Sequence, residues 1–320
     1  MADADWTPKP YVSGAERPRG EGSIFDPNVT PARTDGPRAF VTGWPVWHSR
    51  SPAIHRSWLK EFGLPGSYER VGVSPEEIGE FLKTLRRQGY VGGNVTIPHK
   101  LAALEAVSRR DAAAEAIGAV NTIWFEKSGR MVGGNTDAYG FAANLDERLP
   151  GWADAEVATV LGAGGASRAV IFALLKRGVK QVRVVNRTIE RAEELAARFG
   201  PRVSAHAESE RKAQLAAADL LVNTVPIPAP DPDDETPDWF EPRLPDLSAL
   251  RDGALVTDIV YVPLMTPILA AAAERGLRHC DGLGMLLHQA VPGFERWFGQ
   301  RPEVSESLRA RIVTDIENGV

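Results

Sequence analysis

The chain has 320 residues, of which 43% are apolar and 25% are charged, as in an ordinary soluble globular protein of one large domain or two. A formal net charge of −5 does not favour a nucleic-acid or anionic-membrane partner held by bulk charge. The single cysteine, Cys280, cannot form an internal disulfide, which indicates a reducing cytoplasm. The six histidines show no metal-binding spacing, so we expect no metal site.

Residues 1–37 are rich in proline, glycine and charge and show no apolar periodicity. They lack a basic region followed by an apolar run, so we expect a flexible extension and no signal peptide. No run in the sequence is apolar and long enough to span a bilayer, and we therefore expect no membrane partner.

The first structured segment combines a buried strand at 39–43 with a helix that begins in the sequence HSRSP at 48–52. Ser51 followed by Pro52 predicts an N-cap followed by the first helical position. Ser49 has no such structural role. Two hydroxyl groups beside free helix N–H groups would bind a carboxylate.

Residues 92–100, GGNVTIPHK, separate a strand from an Ala/Leu-rich helix. Pro98 cannot donate to a sheet, so the strand must end before it. Lys100 then stands at a helix N-terminus, where the helix dipole disfavours a cation. Asn94 and Thr96 lie two residues apart on one face of the strand. A broken local rule of this kind indicates function, although a surface lysine beside a turn is equally compatible with the pattern.

Two more polar residues stand in this half. Asn121 interrupts an apolar strand at 119–125, and a buried amide without partners costs about 1–3 kcal/mol. Asp137 precedes a helix at 138–149, where capping alone would explain it.

A second pattern begins with Val157–Leu161, which is typical of a strand buried on both faces of a parallel sheet. A glycine-rich turn, an apolar helix and a second strand at Gln181–Asn186 follow. This order indicates a βαβ unit whose turn and helix N-terminus bind a pyrophosphate. The residues of that turn are Gly162, Ala163, Gly164, Gly165 and Ala166.

The end of the second strand indicates which dinucleotide is bound. NAD sites usually carry an acid there for the ribose 2′-hydroxyl. Here Asn186, Arg187 and Thr188 stand in its place, with Arg191 one helical turn later. A guanidinium matches a 2′-phosphate in charge and geometry, so the sequence favours NADP over NAD.

The remaining elements complete this second half. We expect strands at 218–224 and 255–261, a long acidic, proline-rich loop at 225–247 and a helix that begins at Pro267. A last helix begins near Gly282, and its aromatic residues Phe294, Trp297 and Phe298 have the spacing of core packing.

Taken together, these residues resemble the shikimate dehydrogenase family from about residue 40 to residue 299. The motifs that carry the resemblance are HSRSP at 48–52, NVTIPHK at 94–100, GAVNT at 118–122, NTD at 135–137, GAGGA at 162–166, NRT at 186–188, DIVY at 258–261, and GML at 284–286 with Gln289.

The resemblance implies two α/β domains that face each other across a cleft, an N-terminal substrate domain and a Rossmann-like NADP-binding domain with a parallel sheet. The expected boundaries are 38–137 for the substrate-binding and catalytic domain, 138–282 for the NADP-binding domain, and 283–320 for C-terminal helices that return to the substrate domain. The implied reaction is the reversible, NADPH-dependent reduction of 3-dehydroshikimate to shikimate, in cytoplasmic aromatic amino-acid and chorismate biosynthesis.

The resemblance also assigns roles to single residues. It implies that Lys100 and Asp137 are the catalytic pair. The substrate carboxylate would contact Ser49, Ser51 and Tyr261, and the ring hydroxyls would contact Thr96, Lys100, Asn121, Asp137 and Gln289. Ile259, Gly282 and Met285 join the glycine turn and the 186–191 segment as cofactor-binding residues.

Two other functions remain open at this stage. A quinate/shikimate dehydrogenase with broader substrate or cofactor use differs by one substrate hydroxyl, which is a modest discrimination problem. A catalytically silent NADP(H)-binding sensor would keep the fold without turnover, although Lys100 and Asp137 are both retained. The small-molecule substrate is the one partner implied, and a monomer and a homodimer both fit the sequence.

Overall fold

The computed structural model describes residues 35–226 and 246–318. The chain divides into two compact units, the first holding the residues up to Thr136 and from Ala290 onward, the second Asp137–Gln289. Most of the predicted N-terminal extension and most of the acidic loop lie outside the described residues.

Unit 1 is built on a six-stranded mixed sheet with the strand order β2-β1-β3-β5-β6-β4. The strand β1 pairs in parallel with β2 and β3, whereas β5 runs antiparallel to β3 and β6. Its strands are β1 Arg38–Gly43, β2 Ser67–Gly72, β3 Tyr90–Val95, β4 Arg109–Arg110, β5 Thr122–Phe125 and β6 Met131–Gly134. Its helices are α1 Ser51–Glu61, α2 Ile78–Thr84, α3 Lys100–Ala106, α4 Ala112–Ile117, α11 Glu306–Glu317 and the second half of α10 Leu283–Phe298.

An apolar core covers one side of this sheet. Phe40 of β1 meets Phe81 of α2 and Tyr90 of β3 edge-to-face, at ring-centroid distances of 5.1 and 5.0 Å. Leu82 and Leu85 are buried in the same cluster, and the spacing of Phe81, Leu82 and Leu85 is that of one helical face.

A second core contains His55, which has no exposed surface. Its ring stacks on Tyr68 at 3.9 Å with an interplanar angle of 11°, and it also contacts Phe294 and Trp297 of α10. The core role predicted for these two aromatic residues is therefore confirmed. Burial lowers the pKa of His55 to about 3, so the ring is neutral at physiological pH.

Unit 2 is a doubly wound α/β unit around a six-stranded parallel sheet with the order β12-β11-β10-β7-β8-β9. Its strands are β7 Val157–Leu161, β8 Gln181–Asn186, β9 Val203–Ala207, β10 Leu220–Asn223, β11 Leu255–Asp258 and β12 His279–Cys280. Its helices are α5 Asp137–Arg148, α6 Gly165–Lys176, α7 Ile189–Phe199, α8 Arg211–Ala216, α9 Pro267–Glu274 and the first half of α10, with short 3-10 turns at Trp152–Asp154, Glu208–Glu210 and Leu247–Ala249.

The central strands of this sheet are buried on both faces, as the apolar runs predicted. Ala158, Thr159 and Val160 of β7 have no exposed surface, and neither does Val222 of β10. The chain order reverses between β7 and β10, and ligands of parallel sheets bind at the carboxyl ends of strands beside such a reversal.

Three local expectations differ from the structure. Ser51 is the first residue of α1 and caps nothing, because Arg50 holds the N-cap position without a side-chain hydrogen bond. Asn121 precedes β5, which begins at Thr122. Asp137 is itself the first residue of α5.

The buried ring of His55 predicts a pH-dependent stability. Because its pKa in the folded protein is about 3, the unfolded chain takes up the proton first as the pH falls below 6.5. Between pH 7 and pH 5 this histidine should remove about 2 kcal/mol from the free energy of unfolding. Urea unfolding at both pH values should show a smaller loss for His55→Phe than for wild type.

The control is Phe62→Leu, which changes the packing against Phe294 beside this core, removes no titratable group and should keep the wild-type decline. An undiminished decline in His55→Phe would show that other groups cause the pH dependence.

Candidate active site

The two serines predicted to bind a carboxylate are held at the start of α1. The Ser51 N–H donates to Ser49 Oγ at 3.3 Å, and Arg70 Nε donates to the Ser49 carbonyl oxygen at 2.9 Å. Ser49 therefore receives the helix N–H, the role that the sequence assigned to Ser51. The anchored turn fixes both hydroxyl groups beside the positive end of the helix.

Tyr68 of β2 joins Ser51 to the end of β3. Its hydroxyl donates to Asn94 Oδ1 at 2.5 Å and also makes a hydrogen bond with the Ser51 side chain. Tyr68 has no exposed surface, and burial raises the pKa of its hydroxyl well above the ordinary value. The phenol therefore stays protonated and always donates its hydrogen bond. Its partner must be an acceptor, so the oxygen of the Asn94 amide faces Tyr68 and the nitrogen faces away.

The Asn94 side-chain amide belongs to a buried polar network that is centred on Asn121, a residue that is 3% exposed. Asn94 Nδ2 donates to Thr122 Oγ1 at 3.1 Å, and Thr122 Oγ1 donates to Asn121 Oδ1 at 2.8 Å. Asn121 and Thr136 form a reciprocal pair: Asn121 Nδ2 donates to Thr136 Oγ1 at 3.1 Å, and the Thr136 N–H donates to Asn121 Oδ1 at 2.8 Å. The partners that a buried amide requires are present.

Backbone hydrogen bonds bring Thr96 and Lys100 to the same segment. The Val95 N–H donates to the Asn121 carbonyl at 2.8 Å, and the Val120 N–H donates to the Lys100 carbonyl at 3.1 Å. The strand ends at Val95 and α3 begins at Lys100, as Pro98 predicted. Three sequence-predicted residues of unit 1, namely Thr96, Lys100 and Asn121, therefore lie together.

His99 fixes the turn between β3 and α3 through a buried contact with Val73. Its side chain is 2% exposed, and its Nε2 is 2.7 Å from the Val73 carbonyl oxygen. Burial lowers the pKa of His99, which favours the neutral ring. The His99 contact therefore fixes the residue that precedes Lys100 at the start of α3. The neutral imidazole places no second positive charge beside the lysine.

The other predicted substrate residues belong to unit 2. Asp137 directly follows Thr136, whose backbone is fixed by the Asn121 amide. Gln289 is 8% exposed and donates to the Leu286 carbonyl at 3.0 Å within α10. Tyr261 is half-buried in the loop after β11.

That loop is organised by Asp258, a buried carboxylate at the end of β11. It accepts the Val260 N–H at 2.9 Å, the Thr266 hydroxyl at 2.8 Å and Asn223 Nδ2 at 3.0 Å. Burial raises the pKa of Asp258 against the lowering effect of these donors. The carboxylate fixes the backbone that carries Ile259 and Tyr261.

Two glycines explain how α10 begins in this unit. A Cβ on Gly282 would lie 2.2 Å from the Ile259 carbonyl oxygen, and a Cβ on Gly284 would lie 1.9 Å from Asn144 Oδ1. The predicted cofactor residues Ile259 and Gly282 are therefore in close contact, with the half-buried Met285 one helical turn further on.

The glycine-rich turn lies where the sheet order reverses. Gly162 has φ +96°, and a Cβ there would meet Thr224 Oγ1 at 2.8 Å, so only glycine fits. Gly164 and Gly165 face open space, and α6 begins at Gly165 with no acid in its first turn. Backbone N–H groups and open volume at a helix N-terminus fit a pyrophosphate.

Asn186 holds this turn from the neighbouring strand. Its Oδ1 accepts the Ala163 N–H at 3.1 Å, and its Nδ2 donates to the Thr188 carbonyl at 2.7 Å. Arg187 and Thr188 are exposed after the end of β8, and Arg191 is exposed in the first turn of α7. No described carboxylate lies within 4.0 Å of either arginine. Two guanidinium groups without an acid fit a 2′-phosphate.

Four residues that build these sites received no role from the sequence, although Thr136 and Asp258 belong to the NTD and DIVY motifs. Tyr68, Thr136, Thr224 and Asp258 make the contacts described above, and Asn94 was noticed without a role. A polar residue at the carboxyl end of an apolar strand could have indicated Thr224 after β10 and Asp258 in β11. Tyr68 is the second residue of β2 and gives no such signal.

Two absences concern the described residues alone. Across residues 35–226 and 246–318, no group of three or more His, Cys, Asp or Glu side chains could hold a metal ion. In the same ranges, no helix combines the length and apolar character needed to cross a membrane.

A parallel-sheet unit with a dinucleotide turn, next in the chain to a mixed-sheet unit with a polar site, defines a dinucleotide-binding dehydrogenase. Three family descriptions match the chain: "Shikimate dehydrogenase substrate binding domain" over residues 41–123, "Shikimate / quinate 5-dehydrogenase" over 145–230, and "Shikimate 5'-dehydrogenase C-terminal domain" over 282–306. A shikimate dehydrogenase (NADP(+)) from Brucella abortus (strain S19) is 58% identical over 281 residues, which cover 88% of this chain and 95% of that protein. The chain belongs to the shikimate dehydrogenase family.

Solved structures agree with this fold. Shikimate 5-dehydrogenase from Thermus thermophilus, in complex with NADP(H) and shikimate, is 36% identical with a TM-score of 0.72, covering 89% of this chain and all of the other. Quinate dehydrogenase from Corynebacterium glutamicum, in complex with NAD, is 29% identical with a TM-score of 0.77, covering 87% of this chain and 99% of the other. The prediction of an N-terminal α/β substrate domain and a Rossmann-like domain is confirmed.

The Tyr68 hydroxyl gives a measurable stability prediction. Tyr68→Phe leaves Asn94 Oδ1 without its donor inside the protein, which should lower the free energy of unfolding by about 1–3 kcal/mol. Urea unfolding would measure the loss.

Tyr90→Phe is the matched control in the same unit. The Tyr90 hydroxyl contacts Arg38 and Glu69, and these two side chains remain bonded to each other at 2.6 Å when it is removed. The control should therefore lose less than about 1 kcal/mol. Equal losses in the two variants would mean that the Asn94 contact adds nothing.

Proposed function

We propose that this chain is an NADP-dependent shikimate dehydrogenase, which reversibly reduces 3-dehydroshikimate to shikimate in aromatic amino-acid and chorismate biosynthesis. The observation that carries the proposal is the 58% identity to an NADP(+)-dependent shikimate dehydrogenase over 88% of the chain. The enzyme acts in the cytoplasm on a small-molecule substrate, as a monomer or a homodimer.

Unit 1 would provide most of the substrate-binding groups. Ser49 and Ser51 bind the carboxylate, because their hydroxyl groups stand at the N-terminus of α1, in a turn whose Ser49 carbonyl is held by Arg70. Tyr261, in the loop that Asp258 fixes, also contacts the substrate carboxylate. The residues proposed to contact the ring hydroxyls are Thr96, Lys100, Asn121, Asp137 and Gln289.

Lys100 and Asp137 are the proposed catalytic residues. Reduction of a ketone leaves negative charge on its oxygen, which a proton donor within about 3 Å must neutralise. Lys100 Nζ delivers that proton, and in the reverse reaction it accepts the proton of the alcohol. Asp137 orients the lysine and accepts a hydrogen bond from a substrate hydroxyl, because an ionised carboxylate can only accept hydrogen bonds.

Unit 2 would bind NADP(H), which supplies the hydride when bound. The turn formed by Gly162, Ala163, Gly164, Gly165 and Ala166 holds the pyrophosphate through backbone N–H groups, as the open space at Gly164 and Gly165 allows. Arg187 and Arg191 bind the 2′-phosphate, with Asn186 and Thr188 shaping the strand end. Ile259, Gly282 and Met285 complete the cofactor-binding residues.

Four initial-rate assays test the function: oxidation of shikimate and of quinate, each with NADP and with NAD, followed at the nicotinamide absorbance. We expect turnover with shikimate and NADP alone. Quinate turnover, or indifference to the cofactor, would support the broader enzyme represented by the quinate dehydrogenase with NAD. Bound NADP without turnover in any assay would favour the silent sensor.

Lys100→Ala should lower kcat by about 10²–10⁴-fold, which is the usual contribution of a positioned proton donor. NADP binding, followed by titration, should be unchanged, because Lys100 lies in unit 1. Lys83→Ala is the control, since it removes an exposed lysine of α2. Near-normal turnover in Lys100→Ala would remove this lysine from the proposed proton transfer.

Arg187→Ala should raise the KM for NADP by roughly 10–100-fold, because a charge-assisted hydrogen bond to the 2′-phosphate is lost. The KM for NAD, which lacks that phosphate, should change little. Arg198→Ala, at an exposed position in the last turn of α7, should change neither KM. An equal rise for both cofactors would contradict the role of Arg187.

A further inference from the structure

A concave surface of unit 2 lies apart from all the residues assigned above. It encloses about 390 Å³ beside strands β8 and β9 and helix α8. Its polar lining consists of Gln181, Arg183, Arg202, Ser204, His206 and Gln214. We call it the β8–β9 pocket.

The register of the two strands explains why these residues meet. Arg183 pairs with Ser204, and the alternation of a strand places every second side chain on the same face. The opposite face carries Val182, Val184 and Val203, which are buried. Parallel sheets are usually covered and apolar on both faces, so a polar face on two neighbouring strands departs from the rule.

The charge of the pocket is positive. Arg183, Arg202 and His206 line it, no carboxylate does, and no described carboxylate lies within 4.0 Å of either guanidinium. Glu210 touches His206 Nδ1 at 3.5 Å but is not part of the lining. Arg202 Nη1 donates to the Leu175 carbonyl oxygen at 3.4 Å, which is a neutral partner outside the lining. Two uncompensated cations stand out in a chain whose net charge is −5.

Arg183 is also held by neutral groups. Arg183 Nη1 donates to Gln214 Oε1 at 3.2 Å, and its Nη2 donates to Gln181 Oε1 at 3.3 Å. These amide oxygens orient the guanidinium without cancelling its charge. Ser204 Oγ and His206 Nε2 are 2.8 Å apart, so a hydroxyl and an imidazole stand together beside the arginine.

We propose that the β8–β9 pocket binds a dianionic phosphate group, either free or as a small phosphate ester. The lining offers two guanidinium groups, a hydroxyl and an imidazole, and the oxygens of a phosphate can accept more of these donors than the two oxygens of a carboxylate can. The pocket begins at Gln181, the first residue of β8, about 16 Å along the strand from the Asn186 end where we place the cofactor.

The test is calorimetric titration of inorganic phosphate, and separately of glycerol 3-phosphate, into the full chain saturated with NADP⁺. Saturation removes the other phosphate-binding positions at the glycine turn and Arg187. We expect one phosphate group bound per chain. Tighter binding of glycerol 3-phosphate would identify an ester as the ligand, and equal or weaker binding would identify the free ion.

Arg183→Gln and Arg202→Gln should each weaken this binding by at least about tenfold, because each loses a charge-assisted hydrogen bond. Lys83→Gln removes an exposed positive charge from unit 1 and should bind as wild type does. Arg202 is itself exposed, so its variant gives a result even if Arg183→Gln does not fold.

Two results would overturn the proposal. One is the absence of phosphate binding by the NADP⁺-saturated wild type. The other is binding that is equal in wild type and in Arg202→Gln, which would show an adventitious ion only. Neither result depends on turnover of shikimate, so the outcome is independent of the proposed reaction.

Discussion

The polar site of unit 1 depends on the hydrogen bonds of one buried amide, that of Asn121. The side-chain oxygen and nitrogen of Asn121 contact Thr122 and Thr136. The main-chain carbonyl of Asn121 accepts the Val95 N–H. These bonds connect the ends of β3 and β6 to the start of β5, and they form in a region where an unsatisfied polar group is costly. The amide holds the Thr136 N–H, and Thr136 directly precedes Asp137. Val120, which directly precedes Asn121, donates its N–H to the Lys100 carbonyl, so both backbones are tied to this segment.

The turn after β7 is fixed by a different principle, in which side chains bind backbone groups. Asn186 accepts the Ala163 N–H, and the Thr224 hydroxyl donates to the Leu161 carbonyl at 2.7 Å. An asparagine holds the turn from the strand end at which an NAD-binding protein would carry an acid. The neighbouring Arg187 therefore meets no carboxylate from that strand, and a 2′-phosphate is favoured by charge.

The sequence was sufficient for the features that depend on local order. Strand, glycine turn and helix follow one another in β7–α6, and Pro98 places the end of β3 and the start of α3. Tyr68 could not be predicted in this way, since its role depends on Asn94, 26 residues away in a separate strand. The pairing of Asn121 with Thr136, 15 residues away, could not be predicted either, although Asn121 itself stood out as a polar residue in an apolar segment. Ser51 was assigned as a cap because Ser-Pro is a strong local signal, yet the tertiary contact with Tyr68 determines its environment.

The two principles imply different tolerance to change. Each member of the Asn121 network has a buried partner, so a single substitution leaves a donor or acceptor unsatisfied and reduces stability. Because its members share partners, a change in this network that keeps stability would need several coupled substitutions. Arg187 and Arg191 are exposed and hold no other element in place, so replacing them changes charge with little effect on folding. Under the proposed role of Arg187 and Arg191 at the 2′-phosphate, one or two substitutions would change the cofactor preference, whereas the polar network of unit 1 can change only as a set.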